Sequence, residues 1–282
     1  MIEEITKMIH LAKLDQDLYA KIEFENPVAA MKYRAIPAFI AQLIDSGEVK
    51  PGSSIAMRSA GSAAVAMART AILKGVHPIA VLPPSAPPNI VRLLKWIGAE
   101  VHLVPPNDAK VLIQQYQTSD QVYVFGQAGE THLIDLYKPV GEEIAAQLPN
   151  VAAVTVGIGT GISITGIALA LKEANPDIAI YGCEPQEAPI ASGGKWAPHN
   201  IPGLAPPIPQ PLLDKSLLAG IVTVASAEAW SQAKNLSKTF GILAGPSSGC
   251  TISAALQLRE QGVKGPIVAV LACGILEYLV DE

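Results

Sequence analysis

Val151-Ala-Ala-Val-Thr-Val156 runs directly into Gly157-Ile-Gly159-Thr160-Gly161-Ile-Ser163-Ile-Thr165-Gly166, and the reading of this stretch decides the fold. Six apolar or β-branched residues in a row predict a strand buried on both faces, as inside a parallel sheet. The glycines predict a turn whose backbone can approach a ligand closely. Residues 164–172 then have the spacing of a buried helix. A helix N-terminus offers unpaired N–H groups and a partial positive charge, so strand, loop and helix form a cradle for phosphate. Thr160 and Ser163 add hydroxyl donors to it. A βα turn without a ligand would read alike, and so would a dinucleotide cradle. The rest of the chain has to separate them.

The 282 residues allow two domains of ordinary size and a well-buried core. Half of the chain is hydrophobic (50%), 16% is charged and the net charge is −5. That balance suits a compact enzyme and argues against a general nucleic-acid binder. Cys183, Cys250 and Cys273 are odd in number and far apart, which indicates neither a disulfide framework nor a zinc site. No two of the five histidines stand at metal-ligand spacing, and no metal is expected. No apolar run reaches the ~18 residues of a membrane span. The start, Met-Ile-Glu-Glu, is acidic where a signal peptide would be basic. A protein of the reducing cytoplasm is expected, with no membrane or nucleic-acid partner.

Strand and helix alternate outward from the central stretch. Strands are expected at 19–24, 54–57, 78–82, 100–104, 121–125, 178–183, 221–224 and 266–271. Helices are expected at 30–45, from 62 to 74, 89–97, 108–117, 131–147, from 227 and from 248. The pattern predicts an α/β fold with mostly parallel sheets, which bind ligands beyond the carboxyl ends of their strands. Residues 184–213 form a loop of about 30 residues, too long for a mere connector and expected at the mouth of a site.

Lys32 falls in the first turn of the helix expected at 30–45. The field of a helix start raises the cost of a lysine's charge, which lowers its pKa and releases the amine as a nucleophile. A lysine beside a turn more often simply points into water. The surroundings shift the balance. Lys21-Ile-Glu23-Phe-Glu-Asn26-Pro27-Val-Ala-Ala-Met-Lys32-Tyr-Arg34 resembles the lysine motif of the cysteine synthase / cystathionine β-synthase family, K-x-E-x-x-N-P-x-x-S-x-K-D-R. Gly159-Thr160-Gly161-Ile162-Ser163 is similar to the family's phosphate loop, and Tyr181-Gly182-Cys183-Glu184-Pro185 to its V-G-V-E-P. Gly241-Ile-Leu-Ala-Gly245-Pro246-Ser247-Ser248-Gly249 resembles its G-I-L-x-G-x-S-S-G. The four motifs keep their order and span nearly the whole chain.

The resemblance implies a fold-type II, pyridoxal 5'-phosphate-dependent homodimer. Each chain would have two three-layer αβα domains with the cofactor in the cleft between them. Residues 1–35 with 136–282 would form the large cofactor-binding domain, and 36–135 the small substrate-side domain. Lys32 would carry the cofactor as a Schiff base and act as the catalytic base. Gly157, Gly159, Thr160, Gly161 and Ser163 would hold the phosphate, and Ser247 the pyridine nitrogen. Cys273, in Ala272-Cys273-Gly274, is a second candidate near the ring, or else a small buried residue at a strand end.

The departures fall on substrate recognition. The family's T-S-G-N-T-G loop, which binds the substrate carboxylate, is here Ser59-Ala60-Gly61-Ser62-Ala63-Ala64. Ser62 replaces the asparagine that meets the cofactor's phenolic oxygen. Arg58, just upstream, could supply a positive charge or stand in solvent. The family's G-I-G-A-G is Gly203-Leu204-Ala205-Pro206-Pro207, its aspartate after the lysine is Tyr33, and Gln127 aligns with a glutamine near the substrate. The substrate-side candidates are thus Arg58, Ser59, Gly61, Ser62, Gln127 and Gly203. The implied activity is β-elimination or β-replacement on an activated serine-type amino acid, with a small nucleophile and a non-standard substrate. A serine or threonine ammonia-lyase-like enzyme and a catalytically impaired cofactor-binding relative remain open. A dinucleotide oxidoreductase with Glu184 on the ribose also remains, but it leaves Lys32 and Ser247 without a role.

Overall fold

The structure, a computed structural model, describes residues 7–126, 129–276 and 278–279. The chain opens with β1 (Met8–His10) and returns as β2 (Leu18–Ile22). These two strands are antiparallel, with Ile9 opposite Ala20. A three-residue strand is too short to show a period of two in sequence, and this hairpin was not expected.

There follow α1 (Lys32–Asp45), β3 (Ser54–Arg58), α2 (Ser62–Leu73), β4 (His77–Leu82) and α3 (Pro88–Ile97). Then come β5 (Glu100–Leu103), α4 (Pro106–Gln117) and β6 (Val122–Phe125). The four strands make a wholly parallel sheet in the order β5-β4-β3-β6.

The return half contains α5 (His132–Asp135), α6 (Lys138–Gln147), β7 (Ala153–Gly157), α7 (Ile162–Ala174) and β8 (Ala179–Pro185). After a long loop and a single 3-10 turn (Lys215–Leu217), β9 (Gly220–Val224), α8 (Ser226–Phe240), α9 (Pro246–Glu260) and β10 (Ile267–Leu271) complete it. Where one helix was expected over 131–147, there are two. Pro139 has no amide proton to continue a ladder and stands instead in the first turn of α6. The second sheet runs β1-β2-β10-β7-β8-β9, parallel from β2 onward.

The chain divides into two compact units. One takes residues up to Met31 and Ile134–Tyr278; the other takes Lys32–Leu133 and Leu279. In the first unit, β7 and β10 lie side by side at the centre, and Ala153, Val154 and Val156 are buried on both faces of the sheet. The polar atom of Thr155 is satisfied there by donating to the Thr251 carbonyl at 3.0 Å. On β2, Lys21 is fully buried and pairs with Glu143 of α6 at 2.6 Å. Removing one member of such a buried pair costs about 3–5 kcal/mol, so the first lysine of the motif has a structural task. The close approach of α8 and α9 explains Gly249: a Cβ there would overlap the carbonyl of Ala229.

Candidate active site

The segment before Lys32 is tied down from two sides. The Asn26 side chain donates to the carbonyls of Glu23 and Ala30, both at 2.9 Å, and accepts from the Val28 amide at 3.1 Å. This closes a loop in which Ala29 is forced to a positive φ of 51°. Residues 29–31 are then pinned beside the carboxyl end of β10. Gly274 donates to the Ala29 carbonyl at 3.1 Å, Ala30 bridges Cys273, and Met31 donates to the Ala272 carbonyl at 2.7 Å.

Lys32 follows immediately as the first residue of α1. It is partly exposed and makes no hydrogen bond or ion pair with a described residue. The protein packed around its amine desolvates the charge and lowers the pKa from 10.5 to about 8. Burial, rather than the helix field, is the cause. Near pH 8 about half of the amine is neutral and able to act as nucleophile or base. Next to it, Tyr33 accepts from Arg69 Nη1 at 2.5 Å and lies under that guanidinium, 5.3 Å from the ring centroid.

The glycine loop has the strand–turn–helix form that the sequence predicts. Gly161 caps α7 at a φ of +89° with no side chain to accept from the first amides. Those N–H groups are left for another acceptor. Thr160 and Ser163 are partly exposed, and neither hydroxyl has a described partner. The loop's other side is covered by its own chain. A Cβ at Gly157 would meet Leu204 at 2.7 Å, one at Gly159 the Gly203 carbonyl at 2.7 Å, and one at Gly161 the Leu213 backbone at 2.8 Å. Gly203, expected on the substrate side, thus packs its carbonyl over Gly159. Gln210 donates to the Gly159 carbonyl at 2.6 Å, and Thr165 is held between Leu212 and Asp214. The part of residues 203–214 in organising this loop has no sequence signal, because it depends on contacts about 50 residues apart.

At the start of α9, Ser247 and Cys273 are both nearly buried and their side chains meet at 2.7 Å. Ser248 donates to the Cys273 carbonyl at 2.8 Å. None of the three cysteines forms a disulfide. Glu184 is fully buried and accepts from the amides of Ala191 and Ser192 at 2.7 and 2.9 Å, and from the Ser192 hydroxyl. Its carboxylate is therefore engaged within the long loop and does not serve a ribose, which removes the dinucleotide reading.

In the other unit, β3 ends at Arg58 and α2 begins at Ser62 with Gly61 as its cap. Arg58 is exposed and has no described partner; Ser59, Gly61 and Ser62 are partly exposed. The space beside Gly61 is open. Gln127 lies outside the described residues.

In the first unit, a helix start without a side-chain cap, two hydroxyls beside it with no described partner, and a buried serine rather than a carboxylate suit the phosphate and ring of a phosphorylated aldehyde; in the second, Lys32 offers an amine of lowered pKa that suits the aldehyde itself. A comparison with protein families decides the class, since the model of "Pyridoxal-phosphate dependent enzyme" matches residues 2–274. The chain belongs to this family. It is an enzyme, and its cofactor is pyridoxal 5'-phosphate. Over 273 residues it is 32% identical to "Probable cysteine synthase" of Bacillus subtilis (strain 168), covering 91% of this chain and 87% of that one. It is 30% identical over 275 residues to "Cysteine synthase" of Staphylococcus aureus (strain Mu50 / ATCC 700699), covering 93% and 87%. Among solved structures, O-ureido-L-serine synthase superposes with a TM-score of 0.91 at 25% identity, covering 98% of this chain and 91% of that one. The fold is the fold-type II α/β arrangement. No helix among the described residues is long and apolar enough to cross a membrane.

Proposed function

We propose that this pyridoxal-phosphate enzyme performs β-replacement or β-elimination on a serine-type amino acid carrying a leaving group on its β-carbon, with Lys32 as cofactor anchor and base. The observation that carries the reading is the Lys32 amine, whose pKa burial lowers to about 8, on the residue that follows the tethered Met31. When bound, the cofactor supplies an electron sink for charge developing at the substrate's α-carbon. Lys32 takes the α-proton. The amides at the start of α7, with Thr160 and Ser163, hold the phosphate. Ser247 meets the pyridine nitrogen without a carboxylate's power to keep it protonated, which favours loss of a β-substituent.

On the substrate side, Ser59, Gly61 and Ser62 with the first amides of α2 hold the carboxylate. Gln127 completes that side in this reading. Ala60 and Ala63 offer only backbone donors where the family loop has hydroxyl groups, and Ser62 has a short hydroxyl in place of the amide. Each lost partner to a charged group costs at least ~1–3 kcal/mol. The preferred substrate is accordingly not simple O-acetylserine. It brings a further anchoring group, such as a second carboxylate or a phosphate, and Arg58 meets it. The enzyme works as a cytoplasmic homodimer, which light scattering on the purified protein tests.

The deciding experiment is a spectral and turnover screen of β-substituted serines, with and without sulfide, that measures both replacement product and pyruvate. Anionic substrates should outperform O-acetylserine. A specificity constant for O-acetylserine and sulfide above ~10⁵ M⁻¹s⁻¹ would sink the substrate proposal. No turnover with any of them, despite bound cofactor, would make the protein an impaired relative.

A further inference from the structure

Two successive carbonyls of the glycine loop are held from one side by the chain that covers it. Ile158 accepts from the Ala205 amide at 2.9 Å, and Gly159 accepts from the Gln210 side chain at 2.6 Å. Gln210 is itself braced. Pro209 and Pro211 restrict the backbone on either side of it, and its own carbonyl accepts from the Leu213 amide at 3.1 Å. Just beyond, Thr165 fastens the same chain at the Leu212 carbonyl and the Asp214 amide.

A trans peptide unit points its C=O and its N–H in opposite directions. With the Ile158 and Gly159 carbonyls turned to the covering chain, the amides of Gly159 and Thr160 are turned away from it. No described residue accepts from either amide. Successive N–H groups beside a residue of positive φ, here Gly161 at +89°, make a concavity for an anion. The Gly159–Thr160 unit can also turn over at little cost, because Gly159 has no Cβ to hinder the rotation. Turned over, it would set a carbonyl oxygen where the negative charge of a phosphate belongs.

Resting on the reading that this loop holds the cofactor phosphate, we infer that Gln210 is a positioning residue: its side-chain amide locks the Gly159–Thr160 peptide with the Thr160 N–H outward, so that the cradle is set before the cofactor arrives. Gln210 acts through the backbone of the loop. Its neighbours in the sequence, two prolines, give it a stiff base from which to do so.

Gly159–Thr160 is the only Gly-Thr pair in the sequence, so full-length protein made with carbonyl-carbon-13 glycine and nitrogen-15 threonine yields one selected amide signal by NMR. In cofactor-free wild type this signal should be single, and pyridoxal phosphate should move it. In Gln210→Met, which is near-isosteric and has no donor, and in Gln210→Ala, the cofactor-free signal should shift or split. If about a tenth of the molecules keep the competent orientation, equilibrium dialysis should read about tenfold weaker retention of pyridoxal phosphate. Retention of unphosphorylated pyridoxal should stay as in wild type. Two signals in cofactor-free wild type overturn the inference, whether or not the variants fold. So does a loss of retention with the signal unmoved, a loss shared equally by pyridoxal, or no loss at all. Each of these leaves the phosphate reading standing as long as the cofactor moves the wild-type signal. A wild-type signal indifferent to pyridoxal phosphate overturns both.

Discussion

Two strand–loop–helix corners of this protein have the same outline and different fates. At the end of β7, residues 157–161 turn into α7; at the end of β3, residues 58–61 turn into α2. Both present the amides of a helix start, and neither cap residue has a side chain to accept from them. The first corner is packed from behind by Gly203, Leu204 and Leu213, so its glycines are required by the protein's own backbone. The second has open space beside Gly61 and an exposed Arg58. In the proposed function, the corner that would hold the cofactor phosphate is built into the fold, and the corner that would face the substrate is left with slack in which side chains could change.

The sharpest break falls on the residue that both corners serve in the proposed reaction. Lys32→Ala should remove the borohydride-reducible lysine adduct and lower kcat/KM by at least ~10³-fold, as loss of a nucleophile and base does. Peptide mass spectrometry that places the adduct on another lysine would refute the assignment.

Next comes a direct contrast of the two glycines. Gly161→Ala must adopt a φ of +89° and push its Cβ into the Leu213 backbone, so a loss of about 3–4 kcal/mol is expected. Gly61→Ala, at a φ of −140° with open space, should cost under ~0.5 kcal/mol. Denaturant titration of both variants decides the point. Equal losses would erase the distinction between a corner built into the fold and one with slack.

Lys32 also gives a pH signature in the cofactor-free protein. Its folded pKa of about 8 lies below the unfolded value of 10.5, so the folded state carries a disfavoured charge at all pH values below about 8. That penalty is relieved as pH rises from about 8 to 10.5, where stability should increase. Lys32→Met should therefore be more stable than wild type by about 3 kcal/mol at pH 7, with the gap closing over that window. A gap that is constant from pH 7 to 10.5 would contradict it.

Smallest are the hydroxyl and charge deletions. Thr160→Val and Ser163→Ala should each weaken cofactor retention about tenfold, or ~1.4 kcal/mol, at unchanged melting temperature. Arg58→Ala should raise the KM for an anionic substrate by a similar factor and leave cofactor affinity alone. Equilibrium dialysis and steady-state kinetics read the two effects separately, and crossed effects would merge the two corners into one function.

The parts of this architecture that were legible in sequence are those whose signal is local. The apolar run before Gly157 marks a doubly buried strand, and Asn26-Pro27 with Lys32 marks a turn leading into a helix. The β1 hairpin was not legible, because three residues carry no period. Nor was the break before Lys138, where a helix-like pattern hides a proline that can only begin a new helix. Glu184 reads as a ligand-binding acid but is a buried acceptor for the loop that follows it. The Ser247–Cys273 contact, the cover that residues 203–214 lay over the glycines, and the burial that shifts Lys32 all depend on residues distant in the chain. Periodicity and motif spacing are blind to those.

The bridge from Ala30 to Cys273, and the pairing of β2 with β10, have a consequence for how the protein is made. The second strand and the segment leading to Lys32 leave the ribosome long before their partners, Ile267–Leu271 and Cys273. Residues 32–133, whose sheet is built from strands close in sequence, can close while the rest is still being translated. The six-stranded sheet cannot, and β2 must wait with an unpaired edge until Ile267–Leu271 arrives. The anchor of the lysine is thus assembled only after Ile267–Leu271 and Cys273 have been made, which couples the capacity to hold cofactor to the synthesis of that strand. Stalled chains ending before residue 267 should resist protease over 32–133 and be cut within residues 7–31.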